Sequence, residues 1–142
     1  MIKDHLYRLD QDERGRITDE LTAELAAQPE VAFAYLYGSF AEGEAFHDVD
    51  VGAYLRPPAP EAPTLRALDM AQRLSARVRL PVDVRILNAA PVTFLYHVLR
   101  GRLLINRDPD LLGDVMERTI ADYLDIAPVL RHYTKEAFAG WP

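Results

Sequence analysis

Two aspartates one residue apart stand in a stretch whose residues alternate between acidic and apolar. The stretch reads DVDVGAYL and begins at Asp48, so that Asp48 and Asp50 share one side. This period-two alternation predicts a β-strand with one apolar face and with both carboxylates on the other face, roughly 6–7 Å apart. Carboxylate oxygens are the ligands that Mg²⁺ prefers, so the pair is a candidate divalent-cation site.

A third aspartate occupies the same kind of position further along the chain. Asp83 lies in VDVRILN, residues 82–88, where apolar and polar residues again alternate. If this strand pairs beside the first, Asp83 shares the face of Asp50 at a distance of about 5 Å. Carboxylates that close repel one another, so a bound cation or an added proton is needed. The alternative is that Asp83 is an exposed strand residue paired with Arg85 or Arg79.

A glycine–serine pair precedes these acids. Gly38 and Ser39 follow VAFAYLY, residues 31–37, an apolar run that predicts a strand buried on both faces. Glycine lets the backbone turn sharply, and a short helix beginning at Ser39 would present N–H groups and a hydroxyl to a phosphate. A plain turn followed by a solvated acidic pair is the alternative. An EF-hand does not fit, because Val51 and Ala59 replace two of its ligand positions.

The remaining patterns predict the order α-β-β-α-β-α-β-α, which is that of the α/β class. Asp10 and Glu13 have the spacing of a capping box and begin a helix over residues 11–27. Four further elements are predicted: a helix at 63–79, a helix at 91–100, the short strand RLLIN, and a long helix from Pro109 to about 137 that is interrupted or kinked near Pro128.

Helical spacing assigns the apolar residues of two helices to buried positions. The helix at 63–79 is predicted to present an apolar side made of Leu65, Leu68, Ala71, Leu74 and Val78. The last helix carries more apolar surface than a small sheet needs, so most of it is predicted to be core and part a partner surface. These residues are Val115, Ile120, Tyr123, Leu124, Ala127 and Leu130. Residues 131–133, Arg-His-Tyr, are predicted to lie on the solvated side of this helix.

The composition excludes several classes of protein. The chain has 142 residues, no cysteine and a net charge of −6. The lack of cysteine excludes a disulfide framework and thiolate metal sites, and the acidic balance argues against nucleic acid as the main partner. No apolar run approaches the roughly 20 residues of a membrane span, and the charged N-terminus lacks the apolar centre of a signal peptide. We therefore expect a cytoplasmic protein.

The glycine–serine pair, the loop and the three acids together resemble the signature of a known superfamily. Gly38-Ser39, Asp48-x-Asp50 and Asp83 resemble the nucleotidyltransferases that include DNA polymerase β and kanamycin nucleotidyltransferase. The resemblance is strongest to the minimal nucleotidyltransferases that act as antitoxins, the MntA-type group. The chain departs from the signature in two ways: its loop before the first acid is shorter than usual, and His47 replaces the usual serine. We expect His47 to be an exposed loop residue.

The resemblance implies both the fold and the roles of the site residues. It implies a nucleotidyltransferase fold, in which a small mixed β-sheet is flanked by helices. One minimal domain would span residues 1–142, with its core at about 30–107 and a C-terminal helical segment at about 109–137. Gly38 and Ser39 would bind the phosphates of ATP.

The resemblance also implies the reaction. Asp48, Asp50 and Asp83 would be catalytic and would bind two Mg²⁺ ions. Asp83 would lie on the acceptor side and serve as general base toward the acceptor hydroxyl. AMP would pass from ATP to that hydroxyl, so the chain is expected to be a Mg²⁺-dependent protein adenylyltransferase.

The resemblance further implies a partner protein. Minimal members of the superfamily are commonly paired with a HEPN-type ribonuclease toxin, and they modify one of its tyrosines or bind it. We therefore expect ATP and such a toxin as partners, no membrane, and a possible homo- or hetero-oligomer. Two alternatives stay open: a non-catalytic antitoxin that neutralises its toxin by binding, and an antibiotic-type nucleotidyltransferase that acts on a small molecule.

Overall fold

The computed structural model describes residues 5–137 and contains four strands and five helices within them. The elements are α1 Gln11–Ala26, β1 Val31–Tyr37, α2 Gly38–Ala41, β2 Val49–Leu55, α3 Pro63–Val78, β3 Val82–Ile86, α4 Val92–Leu99, β4 Arg102–Asn106 and α5 Pro109–Ala137. The predicted order and the α/β class are confirmed. The short helix expected at Ser39 begins one residue earlier and takes its place as α2.

The four strands form one mixed sheet in the order β3-β2-β1-β4. The central strand β1 is antiparallel to β2 and β4, and all seven of its residues are buried, as the sequence predicted. β3 is parallel to β2, and in their register Asp50 lies opposite Asp83. The topology therefore brings the acids of two separate strands side by side.

Helices cover both faces of this sheet. On one face, α1 and α3 bury residues such as Leu21, Leu25 and Leu74 against the strands. On the other face, α4 and the first part of α5 pack Val98 and Val115 against the β1 aromatic residues. Each fully buried leucine or valine contributes about 1.5–3 kcal/mol relative to an exposed one. The acids lie on the second of these faces, because the alternation that buries Val49 and Val51 toward α1 and α3 turns Asp50 away from them.

The ends of two elements are fixed by side-chain hydrogen bonds to the backbone. The carboxylate of Asp10 accepts a hydrogen bond from the backbone N–H of Glu13 at 2.8 Å, so Asp10 is the N-cap of α1, as expected. The hydroxyl of Ser75 on α3 accepts one from the backbone N–H of Val82 at 2.9 Å. This buried bond ties the start of β3 to α3, one residue before Asp83.

The apolar side predicted for α3 is partly wrong. Leu65 and Leu68 are exposed, with 68% and 56% of their surface accessible, whereas Met70, Leu74 and Val78 are buried. At about 3.6 residues per turn, the three buried residues follow one side of the helix and Leu65 falls on nearly the opposite side. Spacing alone did not show which stripe of this helix meets the sheet.

The prediction that most of the apolar surface of α5 is core is also wrong. Val115 and Ala127 are buried, but Ile120, Leu124 and Leu130 are exposed. The main packing partner of α5 is α4, which leaves the outer side of α5 uncovered within residues 5–137.

Two other expectations for α5 have different outcomes. The helix is not interrupted at Pro128, which lies inside it and is exposed, so water can satisfy the carbonyl that loses its intrahelical donor. Residues 131–133 are exposed, as predicted. Over the part of the chain that the structure describes, every helix is too short or too polar to cross a membrane.

Candidate active site

The turn after β1 brings the backbone of Gly38 against the carboxylate of Asp50. Gly38 has φ +80°, a conformation that favours glycine, and it begins α2 directly after the last residue of β1. A Cβ built on Gly38 would overlap with Oδ2 of Asp50. The carboxylate therefore fills the space that any other side chain at this position would need. The predicted phosphate turn and the predicted metal site are thus in direct contact.

The N-terminus of α2 presents backbone donors and a hydroxyl. No side-chain hydrogen bond caps this end of the helix, and Ser39 is exposed. The first N–H groups of a helix have no intrahelical acceptor, so those of α2 are available to a ligand. The other end is closed, because the N–H of Glu42 donates to the carbonyl of Gly38 at 3.1 Å and that of Glu44 to the carbonyl of Ser39 at 3.0 Å.

The three predicted acids come together at one end of the paired strands. Asp48 directly precedes β2, Asp50 lies within it, and Asp83 is the register partner of Asp50 on β3. Burial, and then the charges of Asp48 and Asp83, raise the pKa of Asp50 to about 7, while Arg85 acts in the opposite direction. The repulsion expected from the sequence therefore acts on Asp50, in addition to the effect of burial.

Asp83 is also paired with a basic residue. Nε of Arg85 lies 3.3 Å from Oδ2 of Asp83, and 63% of the Arg85 side chain and 42% of the Asp83 side chain are exposed. This is the alternative that the sequence left open for Asp83, with Arg85 as the partner. An ion pair this exposed contributes only about 0.2–1 kcal/mol, so a ligand can displace it readily.

The donor set suits a divalent cation, although the side chains do not form a closed cage. Among the described residues, no group of three or more histidines and acids is placed to hold a metal ion by itself. Mg²⁺ usually takes only one or two protein carboxylates and completes its shell with water and substrate phosphates. The half-buried carboxylate of Asp50, whose pKa is raised, is a group whose charged form a cation would stabilise. The residues present therefore fit Mg²⁺ together with a phosphorylated ligand.

Tyr37, which the sequence analysis did not single out, forms part of the same site. It pairs with Asp50 in the β1–β2 register. Burial, and then the charges of Asp50 and Asp83, raise the pKa of the Tyr37 hydroxyl, so it is neutral at physiological pH. Its ring lies edge-on to those of Phe94 and His97, at centroid distances of 5.6 and 5.8 Å. No period-two or motif signal marks such a contact between β1 and α4.

Two cavities adjoin the predicted site residues. One of about 310 Å³ lies beside Gly38 and is lined in part by Glu42, Arg100 and Arg102. The other, of about 490 Å³, lies beside Asp83, and its walls include Arg85, Leu68, Pro91 and Phe94. The sequence analysis assigned none of these wall residues to the site, and Arg85 entered it only as an alternative partner of Asp83. His47 is exposed, as expected, and its Nδ1 lies 3.1 Å from the carbonyl oxygen of His5.

Several solved structures have a fold similar to that of this chain, and they come from crystals of toxin–antitoxin pairs. A toxin–antitoxin crystal structure with AMP-PNP has a TM-score of 0.69 and 18% identity, covering 84% of this chain and 97% of that chain. The complex of a tri-AMPylated Shewanella oneidensis HEPN toxin with its MNT antitoxin has a TM-score of 0.62 and 18% identity, covering 91% and 98%. A crystal structure of the MntA–HepT pair has a TM-score of 0.61 and 17% identity, covering 90% and 98%.

The family of the chain follows from a second comparison. None of the curated proteins compared with the chain matches it. Likeness to structures this distant in sequence establishes the fold, which is that of the nucleotidyltransferases. Residues 19–110 match the model of a family described as polymerase beta, nucleotidyltransferase. Since this match spans more than half of the chain, the protein belongs to the polymerase beta nucleotidyltransferase family.

Proposed function

We propose that the protein transfers AMP from ATP to a tyrosine hydroxyl of a HEPN-type toxin and thereby acts as its antitoxin. The observation that carries the proposal is the contact between Gly38 and the carboxylate of Asp50, with Asp83 beside Asp50 in the strand register. This arrangement joins a phosphate-binding turn to a set of acids. The proposal is supported by the solved neighbours, one of which holds AMP-PNP and another an AMPylated toxin.

The turn at Gly38 and Ser39 binds the phosphates of ATP in this proposal. The uncapped N–H groups of α2 and the exposed Ser39 hydroxyl supply donors. Backbone donors that are already oriented by the fold stabilise anionic oxygens without rearranging during the reaction. A side chain on residue 38 would displace Asp50, so the glycine is needed both for the phosphate-binding turn and for the position of the acid.

The acids Asp48, Asp50 and Asp83 would hold Mg²⁺, with two ions expected. When bound, Mg²⁺ neutralises the charge on the phosphates and on the leaving group. The pKa of Asp50, raised to about 7, supports a role in cation binding, because a nearby positive charge favours the ionised carboxylate.

In the transfer step, the acceptor oxygen attacks the α-phosphorus of ATP. A bond forms between that oxygen and the α-phosphorus, the bond from the α-phosphorus to the bridging oxygen breaks, and pyrophosphate leaves. Asp83 takes the hydroxyl proton as general base. Arg85, 3.3 Å from Asp83, lies with it in the wall of the larger cavity, where the acceptor would enter.

Transfer of radiolabel tests this proposal. A catalytically inactive variant of a HEPN-type toxin is mixed with the protein, Mg²⁺ and ATP labelled at the α-phosphate. Label is expected in the toxin, and it should disappear with EDTA and with the Asp50→Asn variant. Asp69→Asn is the matched control, because Asp69 is an exposed acid of α3 outside the site. If the toxin binds but gains no label or mass, the enzymatic proposal fails.

A non-catalytic antitoxin is the second candidate, and the exposed apolar residues of α5 favour it. A protein that works by occlusion needs only a surface, and the exposed Ile120 and Leu124 of α5 would supply one. The Asp50→Asn variant separates the candidates: an occluding antitoxin still neutralises its toxin in cells, and an enzyme does not.

The extent of the catalytic unit is also proposed. We assign the chemistry to the minimal module of residues 30–107, which includes all the predicted site residues. The helices α1 and α5 flank this module and pack on its sheet or on α4. The cytoplasmic location stays a prediction from the sequence.

A further inference from the structure

Arg14, near the start of α1, donates hydrogen bonds to three backbone carbonyls in three different segments. Its Nε donates to the carbonyl of Leu9 at 3.0 Å, its Nη1 to that of Phe40 at 2.9 Å, and its Nη2 to that of Glu44 at 2.7 Å. The two longer reaches cross 26 and 30 residues of sequence. One side chain thus connects the segment before α1, at Leu9, with the turn that follows Ser39, at Phe40 and Glu44.

The guanidinium of Arg14 also lies against two buried aromatic rings. It is 5.2 Å from the ring centroid of Phe40 and 5.3 Å from that of Phe46. These rings are only 3% and 1% exposed, and they contact each other edge-to-face at 5.0 Å. A guanidinium over aromatic faces is attracted by their quadrupoles, and the attraction is stronger where water is excluded. Hydrogen bonds in the plane of the guanidinium and contacts with the two aromatic rings therefore both hold the Arg14 side chain in place.

The segment held in this way is the loop that connects the two halves of the candidate site. Phe40 directly follows Ser39, and Phe46 stands two residues before Asp48. Between them, residues 42–44 are exposed and gain no burial from the core. The loop is otherwise secured by its own backbone bonds and by the bridge between Tyr7 and Phe46, at 2.8 and 3.1 Å. This is also the loop that is shorter than the family signature.

We infer that Arg14 is a positioning residue that keeps the phosphate turn and the acids at the separation that ATP binding requires. The inference rests on the proposed function, since it assigns a role toward ATP. Arg14 does not touch the site itself and acts through the backbone at Phe40 and Glu44. A lysine keeps the charge but has no planar fork to reach several carbonyls at once, so Arg14→Lys is expected to fail as Arg14→Ala does.

The test compares both Arg14 variants with Arg16→Ala. Arg16 is the matched control, because it lies on the same helix and, within residues 5–137, makes only an ion pair with Glu20 at 3.5 Å. If the loop of the variants adopts the ATP-binding conformation in about one-tenth of the molecules, the KM for ATP rises about tenfold, while kcat stays within about twofold of the wild-type value. A merely structural loss would instead lower the amount of active protein, which reduces apparent kcat at constant KM.

Hydrogen exchange supplies a readout that does not depend on turnover. The amides of Gly43 and Glu44, which donate to Phe40 and Ser39, should exchange faster in both Arg14 variants, while those of β1 stay protected as in the wild type. Millimolar guanidinium should partly restore ATP affinity to Arg14→Ala and leave Arg16→Ala unchanged.

The outcomes separate this inference from the proposed function. Wild-type affinity for AMP-PNP in both Arg14 variants would overturn the positioning role, whether or not AMP is transferred. Absence of transfer by a wild-type protein that binds AMP-PNP would overturn the proposed enzyme and leave the positioning role to be decided by the affinities. Absence of AMP-PNP binding by the wild type would overturn both.

Discussion

The carboxylate of Asp50 occupies the space that a side chain on residue 38 would need, and residue 38 is a glycine. The backbone of Gly38 lies in the left-handed region, and an added Cβ would overlap with Oδ2 of Asp50. Glycine is therefore required at residue 38 for two reasons: the backbone has a positive φ, and a side chain would displace the carboxylate of Asp50. This relationship makes the proposed phosphate turn and the acid cluster one unit.

We expect Gly38→Ala to lower stability by about 1–3 kcal/mol, because a non-glycine residue is strained in this conformation. It should also abolish ATP use, since Asp50 must move. Gly15→Ala is the control: an added Cβ there meets nothing within 4 Å, and alanine in an exposed helix position should stabilise by about 0.5–1 kcal/mol. Urea unfolding measures the stabilities. Equal destabilisation by both substitutions would contradict the argument.

The raised pKa of Asp50 predicts a pH-dependent stability of a definite sign. The folded-state pKa of about 7 lies above the ordinary aspartate value of 3.8, so the folded state binds more protons than the unfolded state between these values. Stability contributed by this group is therefore present at low pH and is lost as the pH rises through 7.

Asp50→Asn should remove that loss. After allowance for solvent screening of a half-exposed group, we expect the variant to be more stable than the wild type by about 1–2 kcal/mol at pH 8, and not at pH 4. Urea unfolding without divalent cations at both pH values measures the difference. A gain of equal size at both pH values would show that the charge of Asp50 is not its source.

The sequence predicted that the three acids lie together on neighbouring strands, as the structure places them, and the physical reason is local. Alternation of apolar and acidic residues sets the face of Asp48, Asp50 and Asp83 wherever the strands pair, because a strand has a period of two. Their exact adjacency depends on the register of β2 and β3, which is fixed by contacts such as the Ser75 to Val82 bond. Motif spacing does not contain that information.

The parts that the sequence did not predict depend on long-range packing. The bond from Arg14 to Phe40 crosses 26 residues, and nothing in the pattern of α1 marks this arginine apart from its neighbours. Leu65 and Leu124 were assigned to buried faces because they are apolar, but they lie where no element of residues 5–137 covers the helix. Hydrophobicity predicts which residues benefit from burial, whereas the tertiary fold decides which of them are buried.

Magnesium should reverse the effect of the repulsion around Asp50. At pH 8 the wild-type protein is expected to gain thermal stability when Mg²⁺ and AMP-PNP are added together, because only binding to the folded state shifts unfolding. Asp50→Asn should show a much smaller shift, since one carboxylate ligand is lost. Ca²⁺ with AMP-PNP serves as the comparison for ion selectivity. A full shift in the variant would remove Asp50 from the proposed ligand set.

Val115 and Leu124 of α5 make opposite predictions, because one is buried and the other has 64% of its surface exposed. Val115→Ala should lower stability by about 1–3 kcal/mol, since it leaves a gap against the sheet. Leu124→Ser should change stability by less than about 0.5 kcal/mol.

If the outer side of α5 contacts the toxin, Leu124→Ser should weaken toxin binding about tenfold, a loss of roughly 1.4 kcal/mol. Thermal unfolding and calorimetric titration of the toxin separate the two effects. A Leu124→Ser protein that unfolds as readily as Val115→Ala would show that this face is covered within the protein itself, and one that binds the toxin with wild-type affinity would place the toxin elsewhere.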